Sequence, residues 1–231
     1  MNVGLHRKTL SEQAYESIRD AIIHLRLKPG QMVYEAELSE SLGMSRTPMR
    51  EAFRMLLVED LIEVLPQRGA RISLISERKA EETRFVRERL EVSAIEQAAR
   101  RWNVKDPSVV SVKRKIGQLL EDQQQALRNG DMVAFLQLDE QFHRALLELF
   151  GNRTLISVVS QMRGHLNRLR YLSLTEIGEG DQLLDEHRSL FEAVAAGDDR
   201  SAVRIMEKHL RKLNNDLPMI KGKFPAYFKA E

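Results

Sequence analysis

The sequence predicts a mainly α protein, with an N-terminal winged helix-turn-helix followed by a C-terminal all-α helical bundle. Three observations carry this prediction. Apolar residues recur at three- and four-residue steps over most of the chain, and a two-stranded hairpin pattern occurs once, between residues 62 and 74. Glycine followed by Asp or Asn punctuates the helical stretches of the second half. A length of 231 residues with 42% apolar composition suits two modest cores, and the texture changes after Ser76. The expected domains are therefore residues 1–76, which would bind DNA, and residues 77–231, which would bind an effector and dimerise.

From Thr9 to Leu27, Leu10, Ala14, Ile18, Ala21, Ile22 and Leu25 form one apolar stripe, and Lys28-Pro29-Gly30 ends the helix. A short helix fits Glu35 to Leu42. Gly43 then turns the chain, after which Ser45 or Thr47 can cap a third helix with Pro48 in its first turn. That helix buries Met49, Phe53, Leu56 and Leu57, which leaves Arg46, Arg50 and Arg54 four apart on another face. Ile62 to Val64 and Arg71 to Leu74 alternate with period two around Pro66 to Gly69, the pattern of a hairpin wing.

Beyond Ser76 no strand is expected. Gly130-Asp131, Gly151-Asn152 and Gly197-Asp198 each close one helix and cap the next, and Asp106-Pro107 marks a further start. Six helices follow, near 79–101, 107–129, 132–149, 153–174, 182–196 and 199–217, with Thr175 to Asp181 as a loop. The aromatic tail from Lys221 is too short to fold alone and should pack on the bundle or on a partner.

Composition narrows the chemistry. With no cysteine there are no disulfides, thiolate metal sites or thiol nucleophiles, so a metal would need His, Asp or Glu. No apolar run approaches the roughly 20 residues of a membrane helix. The N-terminus also lacks the apolar stretch of a signal peptide, so the protein is expected in the cytoplasm, away from membranes. The 36 basic and 34 acidic residues give no overall basic character, and DNA binding must be argued from where the charges lie.

Residues 1–76 hold 10 basic and 10 acidic side chains, so the positive charge is a matter of the recognition face. An Arg guanidinium is the fork that pairs with O6 and N7 of guanine, and Arg46 and Arg50 start a helix of the size the major groove admits. Ser45 and Thr47 can offer hydroxyls to phosphate, and Arg68 beside Gly69 can reach the backbone or minor groove. A solvated helix face explains the same arginine spacing without DNA. In the second half, Asp139 and His143 share one helix face, and His187 and His209 lie on two other helices. Each alone is ordinary; together they offer one oxygen and three nitrogens, a set suited to a divalent Zn, Ni, Mn or Fe. A metal-dependent hydrolase or a helical interaction module are the competing functions, although no His-Glu-x-x-His spacing is present.

The run LSESLGMSRTPMREA from Leu38, continuing into EDLI at Glu59 and PQRGA at Pro66, resembles the GntR family of bacterial regulators. The resemblance covers residues 9 to 76, including Pro29-Gly30. It implies a transcription regulator whose DNA contacts fall on Ser45, Arg46, Thr47 and Arg50 and on Gly69 in the wing. Ala36 and Arg68 depart from the basic residue and the histidine that some members carry there, so no member's operator can be copied.

The second half resembles the FCD sensor domain of the FadR-like branch, on RERLE from Arg87, DEQFH from Asp139, Gly151-Asn152, Glu186-His187, Gly197-Asp198 and His209-Leu210. That resemblance implies a metal held by Asp139, His143, His187 and His209 at the bottom of a ligand cavity lined by Arg87. Arg87 can equally pair with Glu91. His165 lies on a helix that contributes cavity residues in related proteins and is a candidate effector contact. The expected partners are double-stranded operator DNA, a second copy of the chain, and a small carboxylate effector, with sugar acids as one lead. A repressor acting as a homodimer on a palindrome is the expected mode, because one short helix reads few bases.

Overall fold

The computed structural model describes residues 8–66 and 68–230, which form two compact units, Met1–Ser76 with Phe224–Glu231 and Glu77–Lys223. Gln67, at the tip of the expected wing turn, lies outside the described residues.

In the first unit, helix α1 spans Leu10–Ile23. It begins with a reciprocal capping box: Thr9 Oγ1 accepts from the Glu12 amide at 3.2 Å, and the Thr9 amide donates to Glu12 Oε2 at 2.7 Å. The helix ends four residues before the expected Leu27, because Leu25 takes a left-handed conformation at φ +56°. Helix α2 covers Glu35–Ser41 and α3 covers Arg46–Val58, with Ser45 rather than Thr47 at the N-cap position. Strands β2 (Ile62–Leu65) and β3 (Gly69–Ile72) pair antiparallel, with Glu63 opposite Arg71 and Val64 opposite Ala70. A third strand, β1 (Met32–Val33), pairs with the other edge of β3, so the sheet order is β1-β3-β2. Sequence periodicity had no purchase on β1, since two residues cannot display alternation. Ala14, Ile18 and Ile22 of α1 meet Met49, Phe53 and Leu56 of α3 and Leu61, Ile62 and Ile72 of the hairpin in one core.

The C-terminal tail, expected with the helical domain, falls with this unit instead. Ile75 donates its amide to Tyr227 O at 2.8 Å and accepts from the Lys229 amide at 2.9 Å, and Phe228 is buried. These backbone bonds give an eight-residue segment the order it could not generate alone.

The second unit is made of α4 (Glu77–Arg100), α5 (Pro107–Arg128), α6 (Met132–Phe150), α7 (Arg153–Glu176), α8 (Gly180–Ala195) and α9 (Asp199–Lys223). The stops act as their chemistry predicts. Gly130, Gly151 and Gly197 have positive φ, while Asp131, Asn152 and Asp198 accept from the amides of Ala134, Leu155 and Ser201 at 2.9 to 3.0 Å. Helix α9 runs past its expected end at Leu217 and carries Pro218 within it. A proline removes one helical hydrogen bond, but the following turn buries Ile220 and pairs Lys221 with Glu77, which offsets the loss. The bundle core joins Ile95, Ile116, Phe142, Leu146, Leu190 and Met206, one residue or more from each of five helices.

Candidate metal centre and nucleic-acid interface

Helical spacing sets Asp139 and His143 on one face of α6, and α8 and α9 bring His187 and His209 to it. All four are buried, and one ligand atom from each lies within 4.8 Å of the others. His187 Nε2 stands 3.2 Å from Asp139 Oδ1, and His143 Nε2 stands 3.9 Å from the same oxygen.

The outer nitrogen of each ring explains why the inner ones converge. His143 Nδ1 donates to Glu91 Oε2 at 3.0 Å, His187 Nδ1 to Gln123 Oε1 at 2.8 Å, and His209 Nδ1 to Glu186 Oε2 at 3.1 Å. Gln123 is itself oriented, since its Nε2 donates to Leu138 O at 3.3 Å. With the proton on Nδ1, each Nε2 carries a lone pair. Those of His143 and His209 face one another at 3.0 Å, a repulsive arrangement unless a cation or a proton lies between them. His187 Nε2 is buried without a hydrogen bond. The residues present therefore fit a divalent metal: inward lone pairs, a buried carboxylate, and outer-ring partners that fix orientation.

Charge states agree with that fit. Burial pushes the Asp139 carboxyl up but is outweighed by the Arg170 guanidinium and by His143 and His187, which hold it well below the usual range. Burial lowers His187 to about 4 and drives His143 well below its ordinary value, despite the neighbouring carboxylates. An ionised carboxylate with neutral imidazoles is the state a metal needs. Glu91 is likewise ionised: burial opposes this, and Arg87 and Arg163 prevail.

A cleft reaches the cluster at His209 and Arg170. Arg84, Arg87 and Lys212 add positive charge to its lining, Glu179 and Asp216 add negative charge, and Leu166, Leu183 and Leu210 provide apolar wall. Arg87 lines the cleft while its Nε donates to Glu91 Oε1 at 2.6 Å in a buried pair. His165 does not line this cleft; it is buried on α7, with its Nδ1 3.1 Å from Arg168 Nη2. Sequence reasoning missed Arg170, whose guanidinium takes both oxygens of Asp139, and the orienting role of Gln123. Nothing in the local pattern marks either residue, because each acts across to another helix.

In the first unit Ser45, Arg46, Thr47 and Arg50 are all exposed at the start of α3. Ser45 makes no capping bond, which leaves its hydroxyl and the first-turn amides available to a phosphate. Arg50 Nε lies 3.5 Å from Glu35 Oε2, an exposed contact that a phosphate or a base can replace. Arg68 and Gly69 are exposed at the wing, where the Arg68 amide closes the turn on Leu65 O at 3.0 Å. Gly69 has φ +90°, and a Cβ there would stand 2.8 Å from the Tyr34 ring, so no other residue fits without strain.

A winged helix-turn-helix with exposed arginines on its third helix, carried in one chain with a helical bundle around a buried polar cluster, defines a transcription regulator. Residues 10–72 match the family model described as bacterial regulatory proteins, gntR family, and residues 82–212 match that of the FCD domain. The chain belongs to the GntR family, in the group that carries an FCD domain. It is similar to an HTH-type transcriptional regulator in an unstable DNA locus of Streptomyces ambofaciens, 32% identical over 97% of this chain and 92% of the relative. It also resembles the HTH-type transcriptional repressor RspR of Escherichia coli strain K12, at 26% identity over 96% of this chain and 95% of that one. Among solved structures, E. coli McbR/YncC shares the fold, with a TM-score of 0.78 and 21% identity over 94% of this chain and all of the other. The hydrolase and interaction-module readings give way, because the relatives are regulators and not enzymes. Among the described residues, no helix is long and apolar enough to cross a membrane.

Proposed function

We propose that the chain is a repressor that binds a palindromic operator as a homodimer and whose DNA affinity is set by a small carboxylate at a metal centre in the helical domain. One observation carries the sensing part of this reading: three imidazole Nε2 atoms and Asp139 converge at the end of a cleft lined by more basic than acidic side chains, each imidazole held by its own outer partner. Asp139, His143, His187 and His209 would hold the metal, with Zn, Ni, Mn and Fe as candidates, and the metal would supply positive charge and coordination sites for an anionic ligand. Arg87 is the second anchor for that carboxylate, and hydroxy-acids and sugar acids are the first class to screen. His165 would act indirectly, through α7, since it does not line the cleft. Ser45, Arg46, Thr47, Arg50, Arg68 and Gly69 would carry the DNA contacts.

A ligand switches DNA binding only if it favours one state of the protein over another. The test therefore reads both metal and operator. Protein purified without a His tag should contain about one divalent metal per chain, and the His187→Ala, His209→Ala double variant should contain little. Organic and sugar acids, screened by thermal shift with and without chelator, should stabilise only the metal-loaded protein and change its operator affinity in a gel shift. Effectors that prove neutral, or that still act after the metal is stripped, would sink the mechanism.

A further inference from the structure

Arg170 makes a contact that a metal-holding carboxylate does not ordinarily need. Its Nη1 donates to Asp139 Oδ2 at 2.5 Å and its Nη2 donates to Oδ1, so one guanidinium fork engages the whole carboxylate. Oδ1 is also the oxygen that faces His187 and His143. The atom a metal would use is thus one the guanidinium already holds. Two cations sharing one buried carboxylate repel each other with little solvent screening, so each weakens the hold of the other.

Arg170 also has somewhere to go. Its side chain lines the cleft and is 12% exposed, against 4% for Arg87, which lines the same cleft, and 5% for Arg163 beside Glu91. A guanidinium pushed off Asp139 would remain in the cleft wall, where an anionic ligand would meet it.

We propose that Arg170 is a surrogate cation for the metal centre: it neutralises Asp139 when no metal is bound, and a divalent metal displaces it into the ligand cleft. This rests on the metal-centre reading above and adds a regulation to it. Metal loading then raises the positive charge of the cleft twice, by the ion and by the freed guanidinium, while the unloaded site keeps its buried carboxylate paired. The alternative is that Arg170 is an outer support that orients Asp139 for the metal. The two roles predict opposite signs, because loss of an outer support weakens metal binding, typically 10- to 100-fold.

The deciding experiment compares the full wild-type chain with Arg170→Gln and Arg170→Lys, using Zn2+ or Ni2+ alone as the probe. Without metal, Arg170→Gln should melt below wild type. Its melting temperature should rise more on adding metal, and chelator competition should show affinity tighter by roughly tenfold or more. Arg170→Lys, which keeps the charge but loses the fork, should fall between them. If Arg170→Gln does not fold without metal, refolding on addition of Zn2+ or Ni2+ supports the surrogate role, and failure to refold in metal counts against it. Equal or weaker metal affinity in Arg170→Gln overturns the role of Arg170 while leaving the metal centre standing. No metal uptake by wild type overturns the metal centre itself, and the surrogate role with it.

Discussion

The winged unit and the helical unit use the same charged residue types in opposite ways. In the winged unit Arg46, Arg50, Arg54 and Arg68 are exposed, and the interior is mostly apolar side chains such as Ile18, Met49 and Leu56, with no buried Asp, Glu, Lys or Arg among the described residues. In the helical unit Asp139, Glu91, Arg87 and Arg163 are buried among the helices with three histidines. An exposed charge keeps its water and is worth little until a partner arrives. A buried charge has lost its water and must be compensated at every moment, so removing its partner costs far more than the pair contributed. Substitutions in the first unit should therefore register in binding, and those in the second should register in folding.

The comparison would break most visibly at Asp139. Asp139→Ala leaves the Arg170 guanidinium, 12% exposed at the cleft, without its carboxylate and should cost about 3 kcal/mol of stability in denaturant unfolding. A loss below about 1 kcal/mol would mean that water reaches this site and that the interior does not treat the charge as buried.

Acid should act on the same unit next. The His187 pKa is lowered by burial from 6.5 to about 4, so in that interval the unfolded chain binds a proton that the folded chain refuses. The contribution is fully present above about pH 6.5 and is lost as pH falls toward 4. It amounts to about 3 kcal/mol for this group. His143 shifts in the same direction and adds to the loss, while Asp139 and Glu91, held ionised, lose their contribution only at still lower pH. Equilibrium unfolding of chelator-treated protein between pH 7 and 4 checks this, with a flat profile as the contrary result.

The smallest effect should come from the winged unit. Arg46→Ala and Arg50→Ala should each change folding stability by less than about 0.5 kcal/mol, since both side chains are exposed. Each should weaken cognate operator binding by about 1–3 kcal/mol and scrambled DNA less. Equal loss on both DNAs would turn these residues into phosphate contacts and leave sequence reading to others.

The helices were legible because their signals are local. Asp106 with Pro107 announces α5, Gly151 with Asn152 announces the break between α6 and α7, and each works through bonds spanning a few residues. The errors arose where a distant partner overrode the local signal. Pro218 reads as a stop, yet α9 continues because its next turn packs. Met32 and Val33 carry no strand signal of their own, yet they pair with β3 some forty residues on. The tail from Phe224 reads as part of the second half, yet its backbone bonds go to Ile75.

The sequence by itself determined the helical periods, the Gly-Asp and Gly-Asn breaks between helices, the arginine stripe and the sharing of one α6 face by Asp139 and His143, because each depends on residues within about a helical turn of one another. Its resemblance to known regulators nominated His187 and His209 as partners of that pair. Only the tertiary structure decided that the three imidazoles aim their Nε2 atoms inward, that Glu91, Gln123 and Glu186 hold them so, and that Arg170 occupies Asp139 from α7. The reason is physical: which side chains meet across a bundle depends on how helices far apart in sequence pack and rotate against one another, and no local propensity encodes that.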